Sequence, residues 1–327
     1  MKKISMVVSI MIVTLMFAGC SQDNLADYLK ASELADAETS GKDYMDISAE
    51  LEFNKEGLSD ETLRELSYFN VIKFVMEDTY EETETGLNVE SRIYYNLGGM
   101  GLDMSLYIQD DKMYMKMPVQ DKYIDMSDQL SQEDGISASE DIEFNSIMEP
   151  ILTTWKELLN TDDILKGQKT YIMTEEGQLK ATTYLITIDE EQLAVLSEKV
   201  IEQISKEEVL EYFINQDSTG ELTEADTKEI IEHIRQLLLK ASIVNFEGTA
   251  FVDFDGRMIK QTFYFELDFG EGEPGDVTSI KGSFIMEKSD LGEKQTFNFP
   301  TISDDQWVYS EDGSVNYTDM FPDGLFE

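Results

Sequence analysis

From Met45 onward apolar residues occupy every second position: Met45, Ile47, Ala49, Leu51 and Phe53, with Asp46, Ser48, Glu50 and Glu52 between them. That alternation predicts a strand with one buried face. Residues 56–67 read as a loop with a helical turn, and a second strand follows with Ile72, Phe74 and Met76 on one face. A third runs from Val89 to Leu97. Gly98-Gly99 then offers the positive φ that a tight hairpin needs, and Leu102, Met104, Leu106 and Ile108 alternate beyond it. After the turn Asp110-Asp111-Lys112, Met113, Met115 and Met117 share a face; past Pro118, Tyr123 to Ser127 is again strand-like. Short connections between consecutive strands predict an antiparallel meander.

The period changes near residue 139. Phe144, Ile147, Met148, Ile151, Leu152, Trp155, Leu158 and Leu159 are spaced as a helix, with Pro150 either kinking it or marking its first turn. Residues 168–188 return to strand character. Asp189 with Gln192 then forms a capping box ahead of the stripe Leu193, Leu196, Val200 and Ile204. Ser205 with Glu208 repeats the pattern before Val209 to Ile214, and Thr223 with Asp226 opens a helix bearing Ile230, Ile234, Leu237 and Leu238. From Ile243 the period is two again, through an Asp255-Gly256 turn and Phe263, Phe265, Leu267 and Phe269, to Ile280–Met286 and Thr296–Phe299 as the last strands. With no long linker, residues 44–327 read as a single domain carrying a helical insert at about 189–240.

The N-terminus has a different pattern. Lys2 and Lys3 precede an apolar run, Ile4 to Phe17, and the small residues Ala18 and Gly19 lead to Cys20. This is the layout of an export signal, and the run is short for a bilayer span, which takes about 20 residues. Phe17-Ala18-Gly19-Cys20 resembles the lipobox of bacterial lipoproteins, which implies a signal peptide over 1–19 and lipidation of Cys20. Acyl chains at about 0.8 kcal/mol per buried methylene hold a chain to a membrane without help from its polypeptide. Residues 20–43, acidic and polar with a weak helical patch at Leu25, Tyr28 and Leu29, read as a tether between anchor and body. The expected location is the extracytoplasmic side of the cell membrane.

Composition then narrows the partners. The chain has 327 residues, 41% of them hydrophobic, which is enough to build a core. Its 68 acids against 25 Lys plus Arg give a net charge of -43, or -45 once Lys2 and Lys3 leave with the signal. Such a surface repels phosphate backbones and anionic headgroups, which excludes nucleic acid, and its electrostatic match is a cation or a basic protein partner. One Cys and one His leave no disulfide framework and no zinc cluster.

Several constellations bear on chemistry. Residues 215–226 (NQDSTGELTEAD) approximate a calcium loop, but Asp226 stands where a longer Glu chelates, and a helix connection capped by Thr223 explains the same residues. His233 lacks any second His or Cys as a metal partner. The Met113, Met115 and Met117 stripe could offer soft sulfur to copper(I), yet core packing accounts for it. The pairs Glu81-Glu82, Asp189-Glu190-Glu191 and Asp304-Asp305 read as solvated faces in a chain this acidic. No nucleophile with a base and no glycine-rich phosphate cradle stands out, so the expectation is no enzyme, no cofactor and no resident metal.

The runs LYIQDDKMYMKMP and KYIDM within residues 106–126, and FVDFDGRMIKQTFYFELDF and SDLGEKQTFNFP within 251–300, follow a lipoprotein signal and flank a helical block. In that order they resemble the LolA/LppX-LprG type of bacterial carrier lipoprotein over roughly residues 44–300. The resemblance implies an α+β fold: a strongly curved antiparallel sheet, or half-open barrel, with helices covering the concave face and an apolar cavity between. Its ligand would be a lipid or other hydrophobic small molecule, with Phe74, Met76, Met113, Met115, Met117, Phe263 and Phe265 as lining candidates. The alternative is an envelope interaction or structural lipoprotein whose core is filled and whose acidic surface engages a partner.

Overall fold

A computed structural model describes residues 24–97, 99–109, 112–116, 122–127, 144–174, 177–206 and 223–308. Its strands are β1 (Ser40–Phe53), β2 (Val71–Thr83), β3 (Gly86–Leu97), β4 (Met100–Gln109), β5 (Lys112–Lys116), β6 (Tyr123–Asp125), β7 (Ile164–Thr174), β8 (Gly177–Ile186), β9 (Ser242–Val252), β10 (Met258–Asp268) and β11 (Val277–Ser289). The helices are α1 (Asn24–Asp36), α2 (Asp60–Ser67), α3 (Phe144–Leu158), α4 (Glu190–Ile204) and α5 (Glu224–Lys240). The class is α+β, and all the strands join one 11-stranded antiparallel sheet in the order β6-β5-β4-β3-β2-β1-β11-β10-β9-β8-β7. The sheet is not closed: β6 and β7, consecutive in the chain, stand at opposite edges, and α3 lies on the connection between them.

Two meanders, β1–β6 and β7–β11, meet at the β1:β11 pair, whose register runs from Lys42↔Ser289 to Phe53↔Val277. Because side chains alternate along each strand, this register sorts residues by face. One face carries Met45, Ile47, Phe74, Met76, Ile93, Phe284 and Met286 as cross-strand neighbours. The opposite face carries ion pairs along and between the strands, including Lys73–Asp46 at 3.1 Å, Arg92–Asp103 at 2.6 Å, Lys281–Glu266 at 3.3 Å and Lys260–Glu287.

The main core sits on the apolar face of β7–β10. Tyr28, Ala31 and Ala35 of α1 are buried there against Ile164, Ala181, Tyr184, Ile186, Ala250, Val252, Met258 and Ile259, joined by Leu159 and Leu291. The segment that reads as a tether is therefore in part a core helix. Its fully buried positions are Tyr28, Ala31 and Ala35, so its amphipathic signal is faint, and the two small alanines let its backbone approach the sheet closely. The capping boxes expected at Asp189/Gln192 and Thr223/Asp226 are both formed. Ser205 is the C-cap of α4, and Glu208 with the helix expected over 209–214 lies outside the described residues. Pro150 falls inside α3.

Thr296–Phe299 is not a strand. After β11 the chain crosses the polar face: Asn298 N–H donates to Glu90 Oε2 at 2.8 Å, the Phe297 and Phe299 rings stack at 5.1 Å, and Phe299 meets Tyr107 edge-on at 6.4 Å. It ends beside β6, where Trp307 bridges Tyr123 in parallel and packs edge-on with Tyr114 and Tyr123. The alternation of Phe297 and Phe299 serves ring contacts, not a ladder.

Two glycines on the apolar face are required by close approach. The Phe265 ring occupies the space a Cβ on Gly282 would take, and a Cβ on Gly248 would lie 2.7 Å from Ile186 Cβ and 2.9 Å from Phe263 Cε1. A Gly248→Val substitution is expected to destabilise the fold by about 1–3 kcal/mol through overpacking. Gly167→Ala, whose Cβ would meet nothing nearer than 3.4 Å, is expected to change stability by less than about 0.5 kcal/mol. Urea unfolding midpoints measure both.

Candidate functional site

The apolar face is built of successive cross-strand rows. One row runs Phe263–Phe284–Ile47–Phe74–Tyr95 across β10, β11, β1, β2 and β3. The next runs Gln261–Met286–Met45–Met76–Ile93–Met104 and continues onto β4. At the β10 end these rows are covered: the Phe263 ring centroid lies 5.5 Å from Trp155 of α3, 5.8 Å from Phe246 and 6.2 Å from Phe284. On β1–β3 they are not fully covered. Met45, Phe74, Met76, Ile93 and Tyr95 are half-buried, and Ile47 keeps 39% of its surface exposed.

A third row, Lys288–Asp43–Asp78–Ser91, borders the methionines and makes one end of this face polar. Lys288 Nζ lies 3.1 Å from Asp43 and 3.4 Å from Asp36 of α1, with only 10% of its side chain exposed. Burial pulls the Lys288 ammonium down, but the charge and hydrogen bond of Asp43, together with Asp36 and Tyr80, outweigh this and hold it above its ordinary value. Burial raises the Asp43 carboxyl against the opposing pull of Lys288, and raises Asp78 against the hydrogen bond that Ser91 Oγ donates to it. Asp43 Oδ1 is buried with no hydrogen-bond partner among the described residues. A cavity of about 510 Å³ adjoins this row, its lining including Asp43, Asp78 and Lys288 with Glu77, Arg92 and Glu287. Its lining residues are charged or polar types, and none of the lining candidates read from the sequence borders it.

The structure thus brings some of those candidates together and separates others. Phe74, Met76, Phe263 and Phe265 share the apolar face within a few strands of one another. Met113 and Met115 lie on β5. Met113 is buried, and Met115 packs in a small separate cluster with Ile124, Met126 and Val308. Met117, Cys20 and residues 215–222 lie outside the described residues. Asp226 is engaged as a helix cap, its Oδ2 accepting from the Thr223 N–H at 3.0 Å. His233 stands 3.5 Å from Asp276 and is half exposed. Among the described residues no group of three His, Cys, Asp or Glu is placed to hold a metal ion, and no helix is long and apolar enough to cross a membrane. Sequence reasoning missed the polar row: Asp43, Asp78 and Lys288 continue the alternation as charged residues at apolar-face positions, a signal visible only once the cross-strand register is known.

The helix over this face is tied down by one buried polar contact. Gln261 Nε2 donates to Tyr28 Oη at 2.5 Å, and burial pushes the Tyr28 hydroxyl up to about 12 against the lowering effect of hydrogen bonds from Trp155 and Gln261.

No protein-family model matches the chain, and no curated relative matches it. A solved structure of a DUF1329 family protein from Desulfovibrio piger is similar at 10% identity, over 84% of this chain and 93% of that chain, with a TM-score of 0.20. A likeness that low assigns no function.

The Tyr28 shift sets a pH dependence. Its folded value of about 12 exceeds the unfolded 10.0, so the folded state holds the proton longer. The associated stability, about 2.7 kcal/mol for two units, is fully present below pH 10 and is lost as pH rises from 10 to about 12. Tyr28→Phe is expected to flatten this alkaline loss, while costing about 1–3 kcal/mol at pH 7 because the buried Gln261 amide loses its partner. Chemical denaturation at pH 7, 10 and 11.5 gives both quantities.

Proposed function

We propose that this chain is a lipid-anchored extracytoplasmic protein that binds or transfers a lipid or another hydrophobic molecule on the apolar face of its sheet. The observation that carries the reading is the pair of adjacent rows, phenylalanine-rich and methionine-rich, that run across five strands and stay half-exposed on β1–β3. A contiguous apolar surface on a protein this highly charged marks a place where something apolar is bound. Methionine suits such a surface because its unbranched, polarizable side chain adapts to chains of different shape.

On this reading the sheet is a curved half-barrel of the LolA/LppX-LprG type, α1 and α3–α5 cover part of its concave side, and the ligand lies where the helices stop. Cys20 carries the anchor, and the acidic surface holds the body away from anionic headgroups. Binding needs no catalysis: the gain comes from removing ligand and protein surface from water, at about 25 cal/mol per Å².

The experiment is native purification of the mature chain from a membrane-containing host, organic extraction and mass spectrometry, with uptake of an anilinonaphthalene probe as the binding assay. A co-purifying lipid and a saturable probe signal are expected. Phe74→Glu, which places a charge in the middle of the face, is expected to weaken probe binding by at least about tenfold while preserving the fold, since Phe74 is only half-buried. Empty extracts together with probe binding unchanged by Phe74→Glu would refute the proposal.

A further inference from the structure

The half-exposed apolar rows end in charge. On β1, Asp43 stands two residues before Met45 and four before Ile47; on β2, Asp78 stands two residues after Met76 and four after Phe74, and the two acids are cross-strand partners. At about 3.3 Å per residue, both carboxylates therefore lie on the same face as the apolar rows, roughly 7 Å from the methionines and 13 Å from Ile47 and Phe74. Both acids are half-buried.

The charge of this row is not balanced from within. Lys288 serves two acids at once, Asp43 at 3.1 Å and Asp36 at 3.4 Å. Asp78 accepts a hydrogen bond from Ser91 Oγ and has no Lys or Arg within ion-pair distance among the described residues. Lys42 and Arg257, which flank this end of the sheet, are already engaged, the first by Asp290 and the second by Glu38, Asp253 and Asp255. No further side-chain cation can come from elsewhere in the chain, because apart from Lys2 and Lys3 every Lys and Arg of the sequence lies among the described residues. Helix α1 ends at Asp36, so the negative end of its dipole adds to the same imbalance. Burial raises both the Asp43 and the Asp78 carboxyls, and Asp43 Oδ1 is left without a hydrogen-bond partner among the described residues. Nor do these acids converge as metal ligands do.

We infer, on the reading that the half-exposed rows seat a hydrophobic ligand, that this ligand is an amphiphile whose headgroup is a protonated amine. The ammonium sits at Asp78 and Asp43, and the chain runs along β1 and β2 over Met45 and Met76 to Ile47 and Phe74. The apolar rows supply most of the affinity, and the carboxylates supply the choice of headgroup. An anionic headgroup meets like charge there, and a neutral one leaves the acids uncompensated.

The test is calorimetric titration of the purified protein at pH 7 with monomeric dodecylamine, dodecanol and dodecanoate, which share one chain and differ in headgroup charge. Dodecylamine is expected to bind about tenfold or more tightly than dodecanol, with dodecanoate weakest. Asp78→Asn, which can still accept from Ser91, is expected to cut the amine's advantage about fivefold, and Asp36→Asn, at a more exposed position, to cut it in the same direction. Glu50→Gln makes the same charge change at an exposed position on the opposite face of β1 and is expected to alter the advantage by less than about twofold. Circular dichroism checks that each variant is folded. Dodecanol that binds, and is lost in Phe74→Glu, with dodecylamine no tighter, overturns the headgroup assignment and leaves the apolar seat standing. An amine preference that survives both Asp substitutions, or that falls equally in Glu50→Gln, reduces it to general attraction by an acidic surface and overturns it too. No binding of any of the three overturns the apolar seat and the headgroup assignment together.

Discussion

The pairing of β1 with β11 is the contact on which the rest of the molecule depends. Without it the chain is two meanders, each with an exposed edge and an apolar face too narrow to shelter anything. With it, residues more than two hundred positions apart fall into register, and the phenylalanine, methionine and polar rows become continuous across the junction. Loop closure over that distance carries a large entropic cost. The offsetting gain is a full-length ladder through the centre of the sheet, with ion pairs such as Lys288–Asp43 spanning it on one face and the Ser48–Ser283 hydroxyl contact at 2.8 Å on the other.

This central seam also explains where the sheet is covered and where it is open. α1 precedes β1 directly, and Arg257 holds the junction in place through Glu38, Asp253 and the Leu291 carbonyl. That clamp directs α1 over β7–β10, where it is buried, and not over β2–β4. The half-exposed apolar residues therefore lie on the side of the seam that the N-terminal helix does not reach. The polar face takes the opposite treatment: the C-terminal segment crosses it and builds an aromatic cluster around Tyr107, Tyr114, Tyr123 and Trp307.

Much of this was legible in the sequence. The period-two runs from Met45 and from Ile243 locate strands, and the Asp189/Gln192 and Thr223/Asp226 pairs locate helix starts, because those signals are local and arise from side-chain geometry within a few residues. What was not legible depends on distant partners. α1 reads as a polar tether because its buried face is made of Tyr28, Ala31 and Ala35, which become core only when β8, β9 and β10 stand opposite. Phe297 and Phe299 alternate like a strand but serve ring stacking. The stripe of Met113 and Met115 has the same pattern as the residues of the central rows, yet the strand order places it four strands from the seam. The polar row follows from cross-strand register, which one sequence does not encode locally.

The central claim is that the half-exposed rows on β1–β3 are the seat of a hydrophobic ligand. Photolabelling the purified protein with a diazirine fatty acid, followed by peptide mass spectrometry, tests it most directly. The account predicts adducts concentrated on Met45, Ile47, Phe74, Met76 and Ile93 and suppressed by excess unlabelled fatty acid. Adducts scattered over the surface, or confined to other segments and insensitive to competitor, would contradict it.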